Sequence, residues 1–442
     1  MRRQTVAVGL AAMTRAAGGG MLATALVVYV GRDGNPLAVS MLSTAFFFSM
    51  MVWTPVWGAL GDLTGRRRSL LVVAGGLTTL ATLGFLVVDS TWGIIGLRGV
   101  YAAFAVGFGP LMLTIVGRLA GRERRGRASG FLSSSLAAGD MVGQATVGFL
   151  LGLVAPSRLY AIVAGLALAA TVAVAFVDDA GAPIDGGESS ATATTDGDAD
   201  DPLTLRALLR GVRERLVPDA DQRATLREFG LGPLYASLAL RHVAVKGIGS
   251  LVPIFLVARL GVSEPTMGLL LTVSSGGQIL FMTLFGRLAD ARSRKALVVG
   301  GMGVSGLYGV LLAVATLPDA VTLRIALAAL GFVAIAAGFS AMDIGTITLV
   351  SETVPPVYES EFVALRSTAS GIGGVLGPTL VGTTVLLTNY RVAFLLAGGL
   401  AVLAAVWAAL AVVEPGRTGP SDAAPDVETA LGVPHPTGDD DQ

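Results

Sequence analysis

Seven ionisable side chains interrupt otherwise apolar stretches of this chain: Arg15, Arg98, Asp140, Arg241, His242, Lys246 and Asp343. Gln278 is a neutral polar companion in the same kind of setting. Burying an ionisable group among apolar residues costs free energy, so such a group faces a water-filled cavity or holds a partner. A carboxylate set between desolvation and a nearby cation can load and release a proton. Asp140 and Asp343 are the candidates, with Arg15 or Arg98 as the expected partner of Asp140 and Lys246 as that of Asp343. Either acid can equally be half of a static ion pair that only fixes packing. His242 reads as a satisfied core residue or as a proton relay. Five cationic or potentially cationic positions against two acids would also attract an anionic solute.

Other chemistries lack their residues. There is no Cys, and His242 and His435 are the only histidines, so neither thiol chemistry nor a metal centre is expected. No G-x-x-x-x-G-K-[ST] phosphate loop is present to harness ATP. The basic residues lie in separate short loops, which gives no nucleic-acid face. The chain is not expected to be an enzyme or to carry a cofactor.

The elements that must position these residues are membrane spans. Of 442 residues, 53% are hydrophobic and 14% charged, with a mean hydropathy of +0.72; soluble domains carry roughly 25% charged residues. Apolar runs predict twelve spans near 5–30, 37–60, 69–88, 91–118, 128–154, 157–177, 230–259, 266–288, 296–317, 321–350, 363–388 and 391–413. Each is close to or above the ~20 residues that cross a bilayer. The first reads as a retained span rather than a cleaved signal. Arg2, Arg3, Arg66 to Arg68, the Arg122–Arg127 loop, Arg292, Arg294, Lys295 and Arg417 fall on one side, against Arg32 and Arg158 on the other. The basic side is expected to be cytoplasmic, with both termini inside. The loop after span 10, with Glu352, Glu359 and Glu361, runs against that pattern.

The spans divide into an N-terminal six-helix bundle (1–177) and a C-terminal one (230–413). Between them, 178–229 is expected to be a partly disordered cytoplasmic loop with an amphipathic helix near 203–217, lying on the membrane or on the base of the bundle. Residues 414–442 read as a disordered acidic cytoplasmic tail.

An internal repeat supports the division. Gly58-x-x-x-Asp62-x-x-Gly65-Arg66-Arg67 returns as Gly286-x-x-x-Asp290-x-x-x-Arg294-Lys295, at an offset of 228 residues. Gly139 and Gly143 of span 5 match Gly373 and Gly377, followed by Pro378, in span 11 at an offset of 234. Small residues allow helices to approach closely in membranes, so these glycines read as packing positions or as hinges. Asp62 stands at a helix end, where a carboxylate can pair with Arg or cap a neighbouring helix; Arg118 and Arg122 are expected partners. Alternatively, Arg66 to Arg68 only set topology.

Taken together, the six-plus-six spans, the long central loop and the repeated element resemble the major facilitator superfamily. The resemblance implies an all-α fold of two six-helix bundles related by a pseudo-two-fold axis, with spans 1, 4, 7 and 10 lining a central cavity. It implies that the Gly-Asp-Arg element stabilises an outward-open state, and Leu97-Arg98-Gly99 is similar to the family's span 4 motif linked to proton coupling. This chain departs at Leu63 and Ala291, where a basic residue is usual, at Ser293, where Gly is usual, and at Tyr101 and Ala102, which replace the usual Gln and Gly. The Gly-Pro that marks span 5 of the family's antiporters stands in span 11 here. The implied function is secondary transport of a small solute across the cell membrane by a monomer, coupled to a proton or another ion, with efflux by antiport as one form. Organic-anion uptake and a non-transporting receptor of the same fold are alternatives. The aromatic and Met residues of span 2 (Phe46, Phe47, Phe48, Met50, Met51, Trp53) read as an apolar pocket or as a lipid-facing stripe.

Overall fold

The structure, a computed structural model, describes residues 2–178, 212, 229–289, 293–354 and 359–413. The expected amphipathic helix (but for Val212), the acidic tail and Asp290 lie outside these residues. The described chain forms twelve spans: α1 (Arg2–Gly31), α2 (Pro36–Thr64), α3 (Arg67–Gly84), α4 (Thr91–Gly121), α5 (Gly126–Leu153), α6 (Pro156–Ala175), α7 (Gly232–Arg259), α8 (Glu264–Ala289), α9 (Arg294–Val314), α10 (Val321–Thr353), α11 (Glu359–Leu387) and α12 (Tyr390–Ala411). Eleven are long and apolar enough to cross a bilayer; the other is α3, which carries Arg67 and Arg68 in its first turn.

Local chemistry sets the boundaries. Asn35 caps α2, accepting from the Leu37 and Ala38 N–H groups at 3.1 Å, and Pro36 occupies the first helical position. Gly65 closes the same helix in a left-handed conformation (φ 64°), its N–H donating to the Gly61 carbonyl at 3.2 Å. The glycine of the repeated element is therefore a helix stop. Ser293, its counterpart in the second copy, is a helix start instead, and its hydroxyl caps the Ala296 N–H of α9 at 3.1 Å.

Helix α4 is broken at Val106–Gly107. The cause is Pro110, whose ring conflicts with the carbonyl four residues back. At the break the Gly107 N–H turns to the Phe104 carbonyl. The Ala103 carbonyl accepts instead from Trp57 Nε1 of α2 at 2.7 Å, and that of Ala105 from the Arg15 guanidinium of α1. Side chains thus engage carbonyls of the turn that precedes the break, as apolar surroundings require.

The two bundles repeat one packing solution. Gly139 and Gly143 seat α5 on the α1 backbone at Met13 and Ala17. Gly373 and Gly377 seat α11 on α7 at His242, Val243 and Gly247. A Cβ at Gly139 would stand 2.8 Å from Met13 Cα, so these contacts tolerate no side chain. Gly61 is similarly tight against Leu111, whereas Gly286 has open space around it, contrary to a packing role there.

The core shows how the bundles sit together. At the end holding the α1–α2 and α7–α8 connections, one hydrophobic core runs through both, including Leu26, Leu42, Val147, Ile254, Met267 and Phe394. At the basic end it divides into an N-terminal core around Trp57, Leu111 and Val174 and a C-terminal core around Leu234, Met342 and Phe362. The bundles meet along α2–α11 and α5–α8. The joined end is closed by Gly148 of α5 against Gly268 of α8, by Thr44 and Thr379 hydroxyls at 2.9 Å, and by an Arg32–Glu264 ion pair at 3.0 Å.

Candidate functional site

The space between the bundles is a cavity with three contiguous lobes. One, of about 320 Å³, is walled by Arg15, Gly20, Phe46, Arg98, Tyr101 and Asp140. The largest, about 510 Å³, shares Phe47 and Asp140 with it and adds Lys246, Gln278, Tyr308 and Phe332. A smaller recess of about 170 Å³ lies against Thr24, Ser43, Arg98, Gln144 and Ser250. Both bundles contribute, so a solute here touches both.

Asp140 is half-buried on α5. Its Oδ2 accepts from Gln144 Nε2 one turn on (2.7 Å) and from Ser275 Oγ of α8 in the other bundle (3.2 Å). Among the described residues no cation lies within ion-pair distance, so neither Arg15 nor Arg98 is its partner. Arg15 is turned to the α4 break and lies over the Phe108 ring. Arg98, only 6% exposed, lies over the rings of Phe46 (4.8 Å) and Tyr101 (5.0 Å). Lys246 sits 4.0 Å from the centre of the Phe47 ring, a cation–π contact between bundles.

Asp343 also departs from expectation. It pairs with Arg366 of α11, not with Lys246, and does not line these lobes. His242 is buried where α7 meets α11, its Nδ1 at 2.7 Å from the Leu238 carbonyl, and takes no part in the cavity. Arg241, 1% exposed, donates to Ser305 Oγ from Nε and Nη2 inside the C-terminal bundle. The lining charges are therefore Arg15, Arg98, Lys246 and Asp140, still predominantly cationic. Gln278 lines the largest lobe as expected.

At the basic end, Asp62 pairs with Arg67 of its own element at 2.9 Å. No ion pair reaches Arg118 among the described residues, and the Arg122 side chain lies outside them. In the second copy Arg294 pairs with Glu352 of α10 at 2.7 Å, so a basic residue compensates the acidic loop end after all.

Several residues of the site were not singled out from sequence. Ser275 and Gln144 carry no charge and gave no signal. Arg366 falls in the first turn of the expected eleventh span, too close to its end to stand out as a charge buried in an apolar run. Trp57 was signalled indirectly, by Pro110 three residues beyond Gly107 in span 4. Of the span 2 aromatics, Phe46 and Phe47 line the cavity, while Phe48 and Trp53 are exposed and do not line these lobes.

Comparison with known proteins fits this geometry. A family model described as Major Facilitator Superfamily matches residues 8–220 and 234–435. The multi-drug resistance efflux pump PmrA of Streptococcus pneumoniae (strain ATCC BAA-334 / TIGR4) is 26% identical over 350 residues, covering 78% of this chain and 77% of that protein. A PmrA homolog of Lactococcus lactis subsp. lactis (strain IL1403) is 23% identical, covering 80% of each. Among solved structures, the nucleoside transporter NupG superposes with a TM-score of 0.67 at 13% identity, covering 93% of this chain and all (100%) of that one. A bacterial homolog of the human lysosomal transporter Spinster, in an inward-facing and unoccupied conformation, gives a TM-score of 0.63 at 16% identity, covering 92% and 95%.

Proposed function

The chain belongs to the Major Facilitator Superfamily, and on that premise we propose that it exports lipophilic, drug-like solutes across the cell membrane in exchange for protons. Its basic end is cytoplasmic by the positive-inside rule, so the structure represents the inward-open state of an alternating-access cycle. Export is supported by similarity to proteins named as multi-drug efflux pumps. The observation that carries the coupling is the position of Asp140. It lines the cavity, holds no cation, and accepts from Ser275 across the bundle interface. Deprotonated, it accepts that bond and helps hold the bundles together; protonated, it loses its charge and the pull on Ser275. A monomer suffices, because one chain encloses the whole cavity.

The decisive experiment reconstitutes the protein in liposomes with an imposed proton gradient and ethidium as solute. Wild type should accumulate ethidium against its gradient, and Asp140→Asn should move it only downhill. Uphill accumulation by Asp140→Asn would remove Asp140 from coupling. The three lining cations favour a second reading, uptake of an organic anion; the direction of solute movement separates the two.

A further inference from the structure

Arg98 is buried, yet its Nη1 has no hydrogen-bond partner among the described residues. Beside it in the same recess, Gln144 buries Oε1 equally without a partner. Asp140 uses only Oδ2 in its hydrogen bonds, which leaves Oδ1 free among the described residues. Arg98 and Asp140 face one lobe, and no ion pair joins them. A buried charge left without its complement is costly, and so is an unsatisfied buried donor or acceptor. A pair needed only for stability would close on itself. Here the unpartnered Arg98 donor and two spare acceptors, one of them anionic, are held apart across the same space, which Arg15 also lines. The rings of Phe46 and Phe47 line it.

We infer that this region binds a zwitterionic amphiphile: its carboxylate seats on Arg98, its ammonium on Asp140 and Gln144, and its hydrocarbon body on Phe46 and Phe47. The planar guanidinium suits a carboxylate, which it can meet with two parallel N–H donors. The inference rests on the transport reading for the purpose of the site, but not for its binding chemistry. It also gives that reading a substrate class: the ammonium and the transported proton compete for one carboxylate.

The test is calorimetric titration of the full-length protein in lipid nanodiscs with three probes. These are 4′-(aminomethyl)biphenyl-4-carboxylic acid, its methyl ester, which keeps only the cation, and biphenyl-4-carboxylic acid, which keeps only the anion. The zwitterion should bind about tenfold tighter than either analogue. Arg98→Gln should bring its affinity down to that of the ester, and Asp140→Asn down to that of the plain acid. Arg98→Lys, which keeps the charge without the planar fork, should fall between. The wild-type comparison decides the matter even if an Arg98 variant fails to fold. Equal affinity for zwitterion and ester overturns the inference, as does absence of saturable zwitterion binding or an undiminished preference in Arg98→Gln. A protein that ranks the probes as expected but moves no solute keeps the site and loses the export reading. One that exports ethidium but does not separate the probes keeps export and loses the site.

Discussion

Asp140 and Asp343 have the same side chain and opposite circumstances. Asp343 is satisfied by Arg366, which itself is largely withdrawn from solvent. Removing one member of a buried pair leaves the other uncompensated, at a cost of about 3 kcal/mol. Asp343→Asn should therefore lower the thermal midpoint of the purified protein markedly, while ligand binding in the survivors persists. Asp140 has only neutral donors to lose, so Asp140→Asn should leave the midpoint close to wild type. Thermal-shift measurement of both variants checks the contrast; equal destabilisation would show that Asp140 is structural too. Both acids were legible in the sequence, since an ionisable residue in an apolar run declares itself. Their partners were not. Pairing depends on the rotation of each helix about its axis, and Lys246 points to Phe47 while Arg366 reaches back from a span end.

Among the elements, α4 has the clearest physical cause. Pro110 breaks it, and Trp57 and Arg15 take carbonyls of the turn before the break. Trp57→Phe keeps the ring and drops the Nε1 donor, which should cost about 1 kcal/mol. Pro110→Ala should straighten the helix, which spin labels placed on either side of the break would report as a longer separation. An unchanged distance would mean that tertiary packing, not the proline, sets the bend. The glycines sort by their neighbours. Gly143→Leu should fail to assemble, because α1 backbone occupies the space at Ala17. Gly286→Leu should assemble normally in the state described, where nothing stands within 4 Å. If Gly286 packs closely in the outward-open state, that variant should show full thermal stability and slow turnover. The spans themselves were legible because length and apolarity fix them. The break was readable in principle from Gly107-Phe108-Gly109-Pro110, but its consequences for Trp57 and Arg15 depend on helices distant in sequence.

For the whole molecule, the repeat foretold two equivalent bundles, and the matched seating of α5 on α1 and α11 on α7 bears that out. Which end would be closed could not be read, because one sequence must support both arrangements. The Arg32–Glu264 pair holds the closed end, but Arg32 is about half-exposed. Such a pair contributes about 1 kcal/mol or less. Glu264→Gln should consequently shift the inward–outward balance by less than about tenfold, and less still at high salt. Single cysteines introduced at the closed end of a chain that has none of its own would report this as increased labelling there. A large shift would make the pair a true lock.

Beside the Thr44–Thr379 hydroxyl contact, that end is held by Gly148 against Gly268, backbone on backbone. A surface of this kind has no side chains to unhook and no rotamers to reset when it separates. It behaves as a dry sliding joint, whose resistance comes from many weak contacts released in succession rather than from one bond. The joint can open and reclose on every cycle without wear on specificity, since it recognises only smoothness. Its weakness follows from the same property: one methyl group at either glycine is grit in the bearing. The most damaging substitutions for turnover should then be conservative ones, Gly to Ala, at a place with no chemistry at all.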